Sequence, residues 1–93
     1  MKFVLNGKDY ALDELTMTFA EGEKIENLTG LSYASAGAAM REGSLRPIRA
    51  LMLVAINRVD PDVSFQDLET AQIEKLEFAW DEVAEKKELP SES

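Results

Sequence analysis

LRPIRALMLVAINRV, residues 45–59, lies near the middle of the 93-residue chain and is apolar on nearly every face. Read at helical spacing, Leu45, Ile48, Met52, Ala55 and Val59 form one stripe, Leu51 and Ile56 widen it, and Leu53 and Val54 spill onto other faces. A helix of this kind is buried on more than one side. Each large side chain taken fully out of water contributes roughly 1.5–3 kcal/mol, so the neighbouring segments are expected to pack around this one.

With 45% apolar residues the chain can bury one core without metal or disulfide staples, so a single globular domain over 1–89 is expected, with 90–93 as a flexible tail. No apolar run approaches the roughly 18 residues of a transmembrane helix, and the opening MKFVLNGKDY lacks a signal-peptide core, which points to a cytoplasmic protein with no membrane partner. Cysteine and histidine are both absent. Thiol chemistry, zinc sites built on those ligands and the commonest acid–base catalyst are thereby removed, and no enzymatic activity is expected.

The net charge of -8 is unevenly placed. Seven acids balance seven bases over 1–59, whereas 60–93 carries eleven acids against Lys75, Lys86 and Lys87. Nucleic-acid backbones would be repelled by that last third. A solvated helix face explains the acids, and so does a surface that steers basic partners.

On the N-terminal side of the central stretch, Asn6-Gly7 between two apolar runs is the strongest short hairpin signal. A two-residue loop pairs Leu5 with Lys8, Val4 with Asp9 and Phe3 with Tyr10, placing Met1, Phe3, Leu5, Tyr10 and Leu12 on one face that should lie on the helices. Residues 13–16 read as a polar turn. Thr18 and Glu21 fit a capping box for a helix over 19–28 that buries Ile25 and Leu28, with Phe19 or Ala20 as further core candidates. Gly30 closes it, and Gly22 within it signals close packing. Ser32 caps a second helix, YASAGAAMRE, whose run of small residues allows close approach, either of the central helix or of a second copy in a homo-oligomer. Gly43 ends that helix, and Ser44 opens the central one with Pro47 in its first turn.

On the C-terminal side, Asp60-Pro61 stops the central helix. Ser64 and Asp67 suggest another capping arrangement, with Phe65 and Leu68 as anchors of a short helical turn. Thr70 then caps a last helix over 71–87, whose Ile73, Leu76, Trp80 and Val83 recur at steps of three and four while its opposite side is acidic. Phe78 lies off that stripe. The expected fold is α+β and mostly α: an N-terminal β-hairpin followed by four helices packed around a central apolar helix.

The chain carries few side-chain groupings suited to catalysis or ligand binding. Asp81 with Glu82 or Glu85 sits on an expected solvent face rather than in a sheltered cleft. The acids of 60–69 lack the glycine and ligand spacing of a calcium loop, and no phosphate-binding glycine loop is present. No metal and no cofactor is expected. Arg41, Arg46 and Arg49 read as ion-pair partners rather than a nucleic-acid footprint. Gly43-Ser44-Leu45 at a helix start is similar to the Asp-Ser-Leu of acyl carrier proteins, but glycine replaces the aspartate, and helix capping accounts for the serine.

Taken together, FVLNGKDYAL (3–12), EKIENLTGLS (23–32), ALMLVAINRVDP (50–61) and VSFQDLE (63–69) resemble the small tail assembly chaperones of long-tailed, siphovirus-type bacteriophages, particularly those infecting actinobacteria. The resemblance implies a non-enzymatic protein that binds the tape-measure protein, keeps it soluble in the host cytoplasm during tail morphogenesis and is absent from the mature virion. The tail-tube protein is a second implied partner. Such a chaperone needs an accessible apolar surface and enough like charge to stay soluble when loaded. Leu53, Val54 and Phe78 are the surplus apolar candidates, with core filling as the competing explanation; Glu74, Glu77, Asp81 and Glu85 supply the charge. The alternative is an acidic phage-encoded inhibitor that mimics DNA, with an acyl-carrier-like protein behind it.

Overall fold

Asn6 and Gly7 both take positive φ, 52° and 82°, as a type I′ turn requires. They join β1 (Lys2–Leu5) to β2 (Lys8–Ala11) in the expected register, Leu5 opposite Lys8, Val4 opposite Asp9 and Phe3 opposite Tyr10. Met1 extends the ladder: Leu12 N–H donates to its carbonyl at 2.7 Å and its ammonium donates to the Leu12 carbonyl at 2.7 Å. Met1, Phe3, Leu5 and Leu12 are buried and Tyr10 is half-buried, with its ring stacked on Phe3 at 5.2 Å.

The computed structural model describes residues 1–77, in two units: a sheet formed by 1–12 and 72–77, and a helical unit over 13–71. Where the last helix was expected to begin, the sheet unit has a third strand, β3 (Ile73–Glu77), antiparallel to β1 on the side away from β2. Helical periodicity is therefore overturned over 73–77. The physical reason is a β-bulge. Phe3 faces Leu76, Val4 faces Lys75 and Leu5 faces Ile73, so Glu74 is an extra residue with no partner on β1. Inserting one residue brings Ile73 and Leu76, three apart, onto the same face of the sheet, which an unbroken strand could not do. The displaced Glu74 carboxylate accepts the Gly7 N–H at 2.6 Å, and Asn6 ties down the strand start by donating its N–H to the Gln72 carbonyl at 3.2 Å and accepting the Gln72 N–H at 3.1 Å. The remainder of the expected helix lies outside the described residues, as does the expected tail at 90–93.

In the helical unit a 3-10 turn (Glu14–Thr16) leads to α1 (Phe19–Thr29), α2 (Tyr33–Arg41) and α3 (Leu45–Asn57), followed by a second 3-10 turn (Gln66–Leu68). Thr18 and Glu21 form the full capping box, and Gly30 closes α1 in the left-handed region at φ 74° while donating to the Glu26 carbonyl. Ser32 caps α2 by accepting the Ser35 N–H; Ser44 occupies the cap position of α3 without a side-chain bond. Ser64 and Asp67 exchange the expected pair of bonds, and the Ser64 N–H holds the Asp67 carboxyl below its ordinary range.

α1 and α2 both pack on α3, which buries nine of its thirteen residues, an unbroken apolar run from Ala50 to Ile56 among them. Ile25 of α1 and Ala36 of α2 are fully buried. The ends of the expected central stripe depart from it: Leu45 is 69% and Val59 66% exposed, because α3 stops at Asn57 and its first residue lies beyond the covered span. Phe19 is not a core residue either. It lies about 120° around α1 from Ile25 at roughly 100° per residue, and it is 92% exposed. The fold is thus α+β with a three-stranded antiparallel sheet and, among the described residues, three helices instead of a hairpin and four.

A candidate binding cleft on the helical unit

Phe19, Gly22, Glu23 and Glu26 stand at i, i+3, i+4 and i+7 of α1 and so form one face of it. That face is one wall of an open cleft of about 440 Å³. Opposite it are Glu14 and Met17 from the preceding turn and Tyr33 from the start of α2. The Tyr33 ring lies beside Gly22, where an added Cβ would meet it at 3.5 Å, an ordinary van der Waals contact. The Tyr33 hydroxyl donates to Met17 Sδ at 3.7 Å, and the Tyr33 N–H donates to Glu26 Oε2 at 2.8 Å, so the carboxylate on α1 also steadies the first turn of α2. Tyr33 remains 50% exposed and Phe19 is 92% exposed. Large apolar groups left in water and gathered at one concavity are the usual mark of a contact surface.

The cleft is held from behind by one ion pair. Arg58, just past α3, donates from Nε to Glu21 Oε2 at 2.8 Å and from Nη2 to Glu21 Oε1 at 2.7 Å, a two-pronged clamp. The same guanidinium donates to Thr16 Oγ1 at 3.0 Å and to the Thr16 carbonyl at 3.1 Å. Glu21 in turn accepts the Thr18 N–H at 2.9 Å. A single arginine therefore joins the end of α3, the 3-10 turn and the α1 cap, and it fixes the approach of Met17 and Phe19 to the cleft. The arginine hydrogen bonds draw the Glu21 carboxyl down to about 2 against the opposing effect of partial burial, and the carboxylate pushes the Arg58 guanidinium up.

Of the residues expected to meet a partner, those the structure describes do not line this cleft. Leu53 and Val54 are each 2% exposed, inside the helical unit, so they fill the core and offer no surface to a client. Glu74 is spent on the Gly7 amide in the β3 bulge, and Glu77 ends the same strand. Both lie on a strand instead of a helix face. Phe78, Asp81 and Glu85 are outside the described residues. Arg46 and Arg49 hold an aromatic ring: their guanidiniums lie 5.3 and 3.9 Å from the centre of Phe65, and Arg46 Nε donates to the Leu28 carbonyl at 3.1 Å. The sheet unit has a depression of about 480 Å³ of its own, but Lys2, Asp9 and Lys75 give it mixed charge and no exposed aromatic wall.

Among the described residues no group of three or more acidic side chains is placed to hold a metal ion, and no helix is long and apolar enough to cross a membrane. The cleft itself holds no nucleophile paired with a base. What its arrangement can do is seat an apolar side chain next to negative charge. No protein-family model, no characterised protein and no solved structure matches the chain.

The cleft wall has a faint signature in the sequence. Phe19, Gly22, Glu23 and Glu26 repeat at helical spacing, but the stripe has one large apolar member and a missing side chain, so it scores poorly as a packing face.

Proposed function

We propose that this chain is a non-enzymatic polypeptide-holding protein, and that it serves as a tail assembly chaperone of a long-tailed phage, with the tape-measure protein as client. It acts in the cytoplasm of the infected bacterium and leaves before the virion is complete. The observation that carries a holding role is the cleft beside Phe19: an aromatic ring 92% exposed, Tyr33 half in water, and an open hollow between them. A folded protein gains nothing in stability from leaving such groups unburied, whereas a holdase needs them. The sequence resemblance supplies the identity of the client, and the surplus of acids supplies the like charge that keeps a loaded chaperone dispersed.

The test is co-expression. With this chain present, a tape-measure protein from the same genome should move from the insoluble to the soluble fraction and co-purify with it. A tape-measure protein that stays insoluble, or is soluble in both cases without forming a complex, removes the chaperone role.

A further inference from the structure

We infer that the cleft between α1 and the start of α2 takes an amphipathic helix bearing lysine or arginine, with an apolar side chain of that helix seated against Phe19 and Tyr33. The inference rests on the polypeptide-holding role and adds the chemistry of the segment held.

Charge complementarity argues for the occupant. Glu23 and Glu26 stand beside the hollow, and no lysine or arginine is among the residues that line it. An apolar group entering there brings its neighbours against carboxylates, so basic neighbours are attracted and acidic ones repelled. Residues 78–93 of this chain, with five acids and two lysines, carry the wrong sign to fill it. Nucleic acid carries the wrong sign as well.

A helix suits the site better than an extended strand. The wall is a helix face, whose backbone groups already bond along α1, so an extended peptide finds no edge with which to form a ladder. A helical segment satisfies its own backbone and needs only a hollow for its anchors. The cleft is of the size that admits one or two large side chains.

Two synthetic helices of about 18 residues test this. They share one Leu/Phe stripe and differ only in carrying lysines or glutamates on its flanks. Each is titrated into the full-length, 15N-labelled protein. The lysine peptide should shift the amide signals of Met17, Phe19, Gly22 and Tyr33, and bind roughly tenfold or more tightly than the glutamate peptide at low salt. Phe19→Ala should weaken the lysine peptide several-fold. Glu23→Lys should weaken it and improve binding of the glutamate peptide. Both side chains are exposed, so the variants should fold, as their amide spectra will report. Equal binding of the two peptides, binding whose shifts fall elsewhere, or no binding of the lysine peptide overturns the inference. A second arm titrates tape-measure fragments. Fragments ignored by the wild type count against the chaperone role alone; fragments bound equally by the wild type and both variants count against the cleft alone.

Discussion

Arg58 and Glu21 form the most consequential pair of side chains in the helical unit, because four donor–acceptor contacts converge on them from three segments. Glu21→Gln keeps the shape but removes the charge, and should cost about 1–2 kcal/mol once solvent screening of a partly exposed pair is allowed for; a urea unfolding midpoint at pH 7 measures it. The pair also sets a pH dependence. Glu21 titrates lower folded, at about 2, than its ordinary 4.5, so its stabilisation is complete above about 4.5 and fades as pH falls towards 2. Unfolding midpoints measured between pH 6 and 2.5 should fall for the wild type, and part of that fall should be absent in Glu21→Gln. Phe19→Ala should behave oppositely to a core substitution: stability within roughly 0.5 kcal/mol of wild type, with loss of client binding.

At the scale of elements, the capping and turn residues were legible because each acts through its own backbone neighbourhood. Asn6-Gly7 gave the hairpin and its register, and Thr18 with Glu21, Gly30 and Ser32 gave the bounds of α1 and α2 to within a residue or so. Residues 73–77 misled because Ile73 and Leu76 are three apart, the helical step, and only a bulge opposite β1 reconciles that step with a strand. Nothing local to the segment announces that a bulge will be stabilised by Gly7, 67 residues away. Deleting Glu74 should therefore leave β3 paired with β1 in an unbroken ladder while the Gly7 amide loses its acceptor. Hydrogen exchange should show Val4 and Lys75, which face each other in the ladder, still protected and Gly7 faster. In α3 the apolar stripe is buried through the interior but exposed at Leu45 and at Val59 beyond its end, since burial depends on how far α1 and α2 reach along it. Leu53→Ala should cost about 2–5 kcal/mol in thermal or urea unfolding, as for other buried leucines.

For the whole molecule, the proposed holding role rests on composition and on one surface feature taken together. A chain without cysteine or histidine, with net charge -8, an exposed aromatic cleft and no paired nucleophile and base in that cleft is suited to holding another polypeptide. The position of the proposed holding surface was not legible, because Leu53 and Val54 look surplus only until three-dimensional packing consumes them, whereas Phe19 looks like core until α1 turns it outward. Calorimetric titration of a tape-measure fragment into the full-length protein, wild type and Phe19→Ala side by side, measures the claim most directly. Seating of an apolar side chain against Phe19 requires a negative heat-capacity change for the wild type and an affinity loss of roughly tenfold in the variant. Binding of the same strength and heat-capacity change in both proteins would contradict it.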